Sequence, residues 1–597
     1  MRRRLARFVF VVLLGTFAGV IGVVTALVLT PPGRDLLART VSSELSRVLA
    51  GSVEVGSVSG SFLYDLTIER LVVRDTAGVL LADLPLVRVG YRLPNFFARR
   101  FVLARLQVEH PTLQLVKHRN GRMNYEDVLR LGGPGGGTSP LIEFRHLEVR
   151  DGTVRVLLPW SPPPQLKTGA EQDSALAAER ARQGRVIESG PEGLRRVIEF
   201  TDLTTKMTRM RIGTPDHLPF LVDLDTLATR VSDPQVVLRD AAGRVVQHGD
   251  SLVFSLRRGA LPHTRFTGGG AVTWPHDTTL YDFQVVSPEA SLVDLRWISP
   301  DFPDLTGRGV VAAHSESGTR TAFVVTGLHL ARGPTRIDGQ LTVLDDRRRG
   351  IGVRDLKLTH TDLDLDEVRP WVPDLPFFGT LSGSTAGSGF LDALDVKLDW
   401  DYTDEEVAGH PVTHVAAQGR VSATRQGLVF HDLAVSESDV DLGTVRRLAP
   451  AIILPGRLRA AGTLDGPLHD VTFVGVAQHQ DGDRPISEID GTVHLDTRRD
   501  TLRLDTDVAL EPLSFEGIRG AFPAIVSRGD LTGRVRLHGT LAHLDVDASV
   551  SGEIGTVNAK GMMTVLPSLF HVSLSPWPSL RRLWAEDARS EFVLQAE

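Results

Sequence analysis

Apolar and polar residues alternate one by one through much of the chain after residue 50. The alternation is clear at Leu502–Asp505, Val535–His538 and Leu544–Asp547. Because successive side chains of a strand point to opposite faces, this period of two predicts strands with one apolar and one polar face. Such faces are typical of antiparallel sheets and not of parallel sheets covered on both sides. We therefore expect a mainly β fold, built from a long antiparallel sheet.

A repeat of about 75 residues runs through the second half of the chain. Its marker is a short apolar segment that ends in proline and precedes a strand punctuated by glycine. Pro300, Pro373, Pro450 and Pro523 mark the four copies and lie 73, 77 and 73 residues apart. A unit whose apolar face cannot be covered alone must stack on its neighbours. The repeat predicts β units, each opened by a short helix or turn, over residues 196–597.

The N-terminus combines a basic tip with a long apolar run. Three arginines follow Met1, and no charged residue occurs from Phe8 through Leu14 and Val20 to Leu29. Twenty-two residues at about 1.5 Å rise span the hydrocarbon core of a bilayer, and a signal peptide would have a shorter apolar region and a small-residue cleavage site. Residues 1–30 are therefore predicted to be a cytoplasmic tip and a single transmembrane anchor, with the rest exported.

Two further segments interrupt the strand pattern. Residues 31–131 are predicted to form an N-terminal β-domain led by an amphipathic helix at residues 34–50. Residues 132–195 contain a Gly/Pro-rich linker at Gly132–Pro140, a strand, and a polar stretch, Ala170–Gln183, that favours helix. We interpret the second of these segments as a linker and an insertion.

Composition narrows the function classes. The chain has 597 residues, 42% of them hydrophobic and 23% charged, which favours a folded chain over a disordered or multi-spanning one. A net charge of -7 gives no overall attraction to nucleic acid, and we expect no nucleic-acid partner. The absence of cysteine excludes disulfides and thiolate chemistry. The arginine cluster Arg347–Arg349 is interpreted as part of a surface turn.

Catalytic signatures do not emerge from the sequence. It contains neither a phosphate-binding Gly-Lys-Ser/Thr loop nor a Gly-x-Ser-x-Gly elbow. His360 with Asp362, and His494 with Asp496, stand one strand period apart, as expected for a solvated sheet face and not for a metal site. A polysaccharide hydrolase would need convergent carboxylates, and the sequence offers no such group. We expect no enzyme activity, no metal and no cofactor.

Three stretches resemble the AsmA-like superfamily, and within it the TamB-like branch of inner-membrane subunits of the translocation and assembly module. They are the N-terminal anchor, the opening Val53–Leu71 with Asp75–Gly78 after it, and Leu106–Leu115 leading to Gly121–Tyr125. The repeated Gly-x-Leu strand starts are similar to the later body of that family. Members of the branch are usually longer and end in a distinct β-domain, whereas this sequence ends at Glu597.

The resemblance implies a sheet folded lengthwise into an open groove, as in bridge-like lipid-transfer proteins. It also implies an inner-membrane protein with its N-terminus in the cytoplasm and its body in the periplasm. The implied partners are phospholipid acyl chains, the inner membrane and, through a C-terminal region not contained in this sequence, an outer-membrane Omp85-type barrel.

Two functions follow as hypotheses. The first is non-enzymatic transport of phospholipid between the inner and outer membranes. The second is a scaffold for insertion of outer-membrane β-barrel proteins or autotransporters, with exposed strand edges as templates. A one-residue error in the register would exchange the two faces of a strand, so we name residues of a single parity on each strand. These side chains either line a groove or pack in an ordinary core. These candidates are Leu502, Leu504, Val508, Val535 and Leu537.

Overall fold

The computed structural model describes most of the chain after residue 50. The described residues are 51–61, 65–91, 100–128, 141–162, 166, 168–182, 184–212, 219–275, 278–370, 375, 377–424, 427–448, 454–467, 469–496, 503–521, 528–540, 543–553, 555–563 and 591–596. The predicted anchor with Phe8, Leu14, Val20 and Leu29, the helix at 34–50, the linker at 132–140 and Leu502 all lie outside them. Within the described part, no helix is long and apolar enough to span a membrane.

The fold is mainly β, as the alternating pattern predicts, and the chain divides into two compact units. The first comprises Met1–Ala290 and Asp294–Pro300. Its strands are β1 Ser52–Ser61, β2 Asp65–Arg74, β3 Leu80–Tyr91, β4 Arg100–Glu109, β5 Thr112–Val116, β6 Leu141–Pro159, β7 Val186–Gly190, β8 Gly193–Ile212, β9 Phe220–Ser232, β10 Gln235–Leu238, β11 Asp240–His248, β12 Ser251–Ala260, β13 Arg265–Thr273 and β14 Leu280–Ser291. Its helices are α1 Asn124–Val128 and α2 Gly169–Ala181.

The second unit comprises Ser291–Val293 and Asp301–Glu597. Its strands are β15 Thr306–Ser317, β16 Arg320–Arg332, β17 Thr335–Asp346, β18 Gly350–Asp364, β19 Gly379–Phe390, β20 Ala393–Asp404, β21 Val412–Thr424, β22 Gly427–Asp441, β23 Arg457–Pro467, β24 Asp470–Gln480, β25 Ser487–Asp496, β26 Arg503–Ser514, β27 Asp530–Thr540, β28 His543–Gly552, β29 Gly555–Met563 and β30 Glu591–Ala596. Its helices are α3 Leu442–Leu448 and α4 Phe515–Ile518, and 3-10 helices occur at Leu292–Leu295 and Leu365–Glu367.

Strands of the second unit pair antiparallel, each with the next along the chain. In the first unit the expectation of a purely antiparallel sheet is wrong, because β4 and β5 both pair parallel with β6. A parallel pair needs a connection that carries the chain back to the starting end of the strand, and residues 117–140 separate β5 from β6 in the sequence. Asn124 in this connection is fully buried, and its side chain satisfies the backbone of β5 by accepting from the Val116 N–H at 3.0 Å and donating to the Gln114 carbonyl at 2.9 Å.

Four strands separate one helical segment of the second unit from the next. Strands β15–β18 precede the 3-10 helix at Leu365–Glu367, β19–β22 precede α3, and β23–β26 precede α4. In an antiparallel ladder, an even number of strands returns the chain to the same end of the sheet. These helical connections therefore all lie at one end of the strands, which we call the helical edge.

The same type of hydrogen bond occurs at the helical edge in each of these sets of four strands. A buried hydroxyl at the start of the third strand accepts from the backbone N–H that precedes the helical segment. The three pairs are Thr335 with Asp364 at 3.3 Å, Thr413 with Asp441 at 3.1 Å, and Ser487 with Ser514 at 3.0 Å. Asp364, Asp441 and Ser514 in turn accept from backbone N–H groups of the following helical turn. A side chain at a helix start that accepts in this way satisfies a donor that the helix itself leaves free.

Candidate functional site

A central row of uncharged residues crosses fourteen consecutive strands of the second unit. Each residue of the row is the direct cross-strand partner of the next. From β16 to β29 the row is Leu328, Gly339, Leu358, Thr385, Leu398, Ala417, Val435, Gly462, Gly475, Gly491, Val508, Val535, Ala548 and Ala559. With strands about 4.8 Å apart, the row extends for about 60 Å.

Flanking rows widen this uncharged surface, which we call the apolar face. On one side, Ala460, Ala477, Ile489, Leu510, Gly533, Val550 and Val557 pair in succession. On the other side, Leu433, Leu464, Phe473, Val493, Thr506, Leu537, Val546 and Gly561 do the same. No aspartate, glutamate, lysine or arginine belongs to these two rows or to the central row. An acyl chain lying along the three rows would meet no charged side chain.

Most side chains of the apolar face are only half-buried. In the central row, Ala417 and Val508 are buried, at 5% and 7% exposure, and the other twelve residues remain partly accessible. Among the described residues of the second unit, the one cluster of buried apolar side chains, Ala322, Leu344 and Phe390, lies outside the three rows. The apolar face therefore retains accessible surface along its length.

The opposite face carries the charges of the same strands. On β27, Arg534 and Arg536 are exposed between the half-buried residues Gly533, Val535 and Leu537. The Arg534 guanidinium donates to the Asp507 carboxylate at 2.7 Å, and Arg536 contacts the same group at 3.2 Å. The hydrogen bond from Arg534, reinforced by Arg536, lowers the pKa of Asp507 below its usual value of 3.8. The polar face is thus hydrated and cross-linked by ion pairs.

The structure places four of the five predicted candidates on this one face. Val508 and Val535 are direct partners in the central row, and Leu537 belongs to the flanking row beside them. Leu504 lies on the same face of β26 as Val508 and pairs with Gly539. The fifth candidate, Leu502, lies outside the described residues. Their common parity agrees with the register of β26 and β27. That these side chains line a groove remains a prediction.

Bulges keep the apolar face continuous where the period of two breaks. The register shifts in β18 between Val353 and Leu356 and in β22 between Phe430 and Leu433. In each case an aspartate with positive φ, Asp355 or Asp432, lies just before the leucine. One extra residue there returns the leucine to the face of the residue three positions earlier. The local sequence, an apolar residue followed two positions later by Asp-Leu, is the signal that could have identified these bulges.

Glycines on the apolar face mark close approaches between strands. Gly491 has φ +152°, and a Cβ there would lie 2.2 Å from the Asp507 carbonyl oxygen. Gly533 has φ +141°, and a Cβ there would lie 2.1 Å from the Ser549 carbonyl oxygen. Glycine inside a strand marks a tight bend or a close backbone contact. The neighbouring backbones approach each other here so closely that a larger residue could not fit.

His360 and Trp400 add polar atoms to the apolar face at β18 and β20. Gly383 separates them in the register, and their ring centroids are 6.4 Å apart. His360 is 8% exposed and its Nδ1 lies 3.0 Å from the Leu381 carbonyl, while Trp400 donates to the Thr385 hydroxyl at 3.0 Å. Each ring thus has a hydrogen-bond partner within the sheet. The sequence spacing placed His360 on a solvated sheet face. The register of β18 shows that this prediction is wrong.

The described part of the chain contains no candidate metal site. No group of three or more His, Asp or Glu side chains there is arranged to hold a metal ion. The sequence spacing groups His494 with Asp496. In the structure, His494 instead contacts Asp470 on the neighbouring strand, at 2.8 Å.

Comparison of the chain with family models, with curated proteins and with solved structures finds no match.

Proposed function

We propose that this protein binds phospholipid acyl chains on the apolar face and carries phospholipid between the inner and outer membranes without a chemical step. The observation that carries the proposal is the central row of fourteen directly paired residues with no charged side chain. An apolar surface of this extent in water calls for a ligand or a partner.

Acyl chains suit the energetics of a half-buried face. Removing each CH2 group from water contributes about 0.8 kcal/mol. The same contribution is available at every strand of the row, so a lipid that moves along it exchanges equivalent contacts. A single charged residue would interrupt this path because an ion next to hydrocarbon loses its hydration.

In this proposal the sheet folds lengthwise into a groove whose inner surface is the apolar face. Support comes from the close approaches at Gly491 and Gly533, because glycine kinks are a means of curving a sheet. Further support comes from the ion pairs that Asp507 makes on the opposite face, which would then face water.

The proposed location is the inner membrane, with one anchor at residues 8–29 and the body in the periplasm. It rests on the uninterrupted apolar run after three arginines. The stretches that resemble the TamB-like branch support the same location. The scaffold function remains the alternative, with nascent β-barrel proteins in place of lipid.

A charge placed in the central row tests the proposal. We expect lipid to be extracted by organic solvent from the purified full chain, and Val535→Asp to reduce the amount severalfold. Thr532→Asp is the matched control, because Thr532 is an exposed residue of the same strand on the polar face. Circular dichroism checks that both variants keep their strands, and the uncharged Val535→Trp tests obstruction without charge.

The possible outcomes separate the two functions. Lipid in the unchanged protein that falls in Val535→Asp and Val535→Trp supports transport along the face. Absence of lipid from the unchanged protein, or equal lipid in Val535→Asp and Thr532→Asp, contradicts it. Crosslinks from residue 535 to nascent barrel proteins instead of lipid favour the scaffold.

A further inference from the structure

The tip of the β17–β18 hairpin lies at the rim of the apolar face opposite the helical edge. Asp346 pairs with Gly350 across the turn, and the turn itself consists of Arg347, Arg348 and Arg349. Ile351 lies two residues before Val353 on the same strand, and Val353 pairs with Val343 and Gly389. Residues two apart on a strand share a face, so Ile351 extends the apolar face to its rim.

Two aliphatic side chains are unusually exposed at this rim. Ile351 is 57% exposed and Leu391, at the tip of the next hairpin, is 48% exposed. The Leu391 N–H donates to the Ile351 carbonyl at 3.4 Å, which places the two tips side by side. The central row, in contrast, contains no exposed residue. Aliphatic side chains are therefore more accessible here than along the central row.

The backbone of the arginine turn is hydrogen-bonded to a buried carboxylate. The Asp346 carboxylate is 5% exposed and accepts from the Arg348 N–H at 2.8 Å and the Arg349 N–H at 3.3 Å. Arg320 donates to the same carboxylate at 2.9 Å. Three donors on one buried carboxylate fix the backbone from which the three arginines project.

The three arginines differ in what their side chains contact. Arg349 lies 3.9 Å from the centre of the Phe390 ring and contacts Asp392 at 3.2 Å. Arg347 and Arg348 are exposed, and within the described part of the chain neither guanidinium has a carboxylate at ion-pair distance. Asp345, the partner of Ile351 in the register, is an exposed acidic residue at this rim. Two cations thus remain available next to two exposed aliphatic side chains.

We propose that Arg347 and Arg348 bind the phosphate of a phospholipid whose acyl chains enter the apolar face past Ile351 and Leu391. Guanidinium groups match phosphate oxygens with paired hydrogen bonds, and a charge-assisted hydrogen bond is stronger than a neutral one. The juxtaposition of cations and aliphatic groups complements a phosphate joined to hydrocarbon, whereas free phosphate would use only the cations. The inference rests on the proposed function and adds a point of entry and a headgroup requirement.

Photolabelling of the purified full chain tests this site. The probes are phosphatidylglycerol with a photoreactive acyl chain and diacylglycerol with the same chain but no phosphate. We expect R347Q/R348Q to lower phosphatidylglycerol labelling about tenfold, which corresponds to about 1.4 kcal/mol. Labelling by diacylglycerol should stay unchanged, and D345N should keep or raise phosphatidylglycerol labelling.

The matched control is R308Q/R336Q. It removes the same charge from exposed positions on the polar face of β15 and β17, and neither side chain belongs to the turn. We expect the control to label like the unchanged protein, and millimolar inorganic phosphate to leave phosphatidylglycerol labelling intact.

Several results would overturn the inference. Equal phosphatidylglycerol labelling of R347Q/R348Q and the control would show that the turn does not bind the headgroup. Equal loss with both probes would indicate a structural effect, and displacement by inorganic phosphate would indicate a site for free anions. If neither probe labels the unchanged protein, the proposed function fails and the entry site fails with it.

Discussion

Two apolar rows of this molecule, one in each unit, have the same sequence pattern and different accessibility. Val58, Ile68, Val87 and Val108 pair in succession across β1–β4 and are 1–6% exposed. Twelve of the fourteen residues in the central row of the second unit stay half-buried. A period of two specifies which side chains share a face and does not specify whether that face is covered. The first row is a core, and the second row stays partly accessible.

A charge in each row should give the largest contrast. Val87→Asp puts an unpaired carboxylate at a site that is 3% exposed, and we expect it to cost about 4 kcal/mol or more in the free energy of unfolding. Val535→Asp, at a half-buried site of β27 in the central row, should cost much less. Urea unfolding of the full chain, read by hydrogen exchange at β2–β4 and β27–β29, measures both. Equal losses at the two sites would refute the difference between the rows.

Enlarging a glycine should distinguish a close approach between strands from an open position. Gly533→Val places a β-branched side chain at φ +141° with its Cβ 2.1 Å from a backbone oxygen, and we expect a loss of about 2–4 kcal/mol. Gly309→Ala in β15 is the control, because the nearest atom to its Cβ is 3.8 Å away. Hydrogen exchange in β27 and β28 reports the change. Unaltered protection in Gly533→Val would argue against a close approach there.

Removing the hydroxyl from one of the hydrogen bonds at the helical edge should have a moderate effect. Thr413→Val leaves the Asp441 N–H without its acceptor, and we expect a cost of about 1–3 kcal/mol. Thr472→Val, on the polar face of β24, makes the same change where no such bond exists, and it should be nearly neutral. Thermal unfolding compares the two variants. The account of the helical edge fails if they unfold at the same temperature.

The smallest expected effect concerns pH on the polar face. Arg534 and then Arg536 lower the folded-state pKa of Asp507, so the stabilisation from the pair is present above the unfolded pKa near 3.8. It is lost as the pH falls through the lower folded pKa. Asp507→Asn should therefore unfold at lower urea than the unchanged protein at pH 7 and at the same urea near pH 2. Asp530→Asn is the control, and a difference that persists in acid would contradict the assignment.

The sequence predicts the strands and their faces well where the period of two is unbroken. Val508, Val535 and Leu537 share a face in the structure, as their parity indicates. Parity fails at the bulges, because Phe430 and Leu433 are three apart and still occupy one face. An extra residue held at positive φ leaves only the short Asp-Leu signal in the sequence.

Other features depend on distant parts of the chain and leave no local pattern. The parallel pairing of β5 with β6 joins two strands that residues 117–140 separate in the sequence, and the alternation within β5 does not reveal it. The burial of Val58 at 1% and the accessibility of Val535 likewise depend on what packs over each strand. The proposed phosphate-binding site at Arg347 and Arg348 was also not predicted. Only the structure shows that Arg349 contacts Phe390 and Asp392, whereas Arg347 and Arg348 make no such contacts within the described residues.

Site-specific photocrosslinking along the central row tests the main proposal most directly. A photoreactive amino acid would replace Leu358, Val435, Val508 or Val535 in the full chain within membranes, and Arg534 would serve as the polar-face position. The account predicts phospholipid adducts at all four positions of the row and none at position 534. Adducts missing from the row, or equally abundant at position 534, would contradict a continuous lipid path on the apolar face.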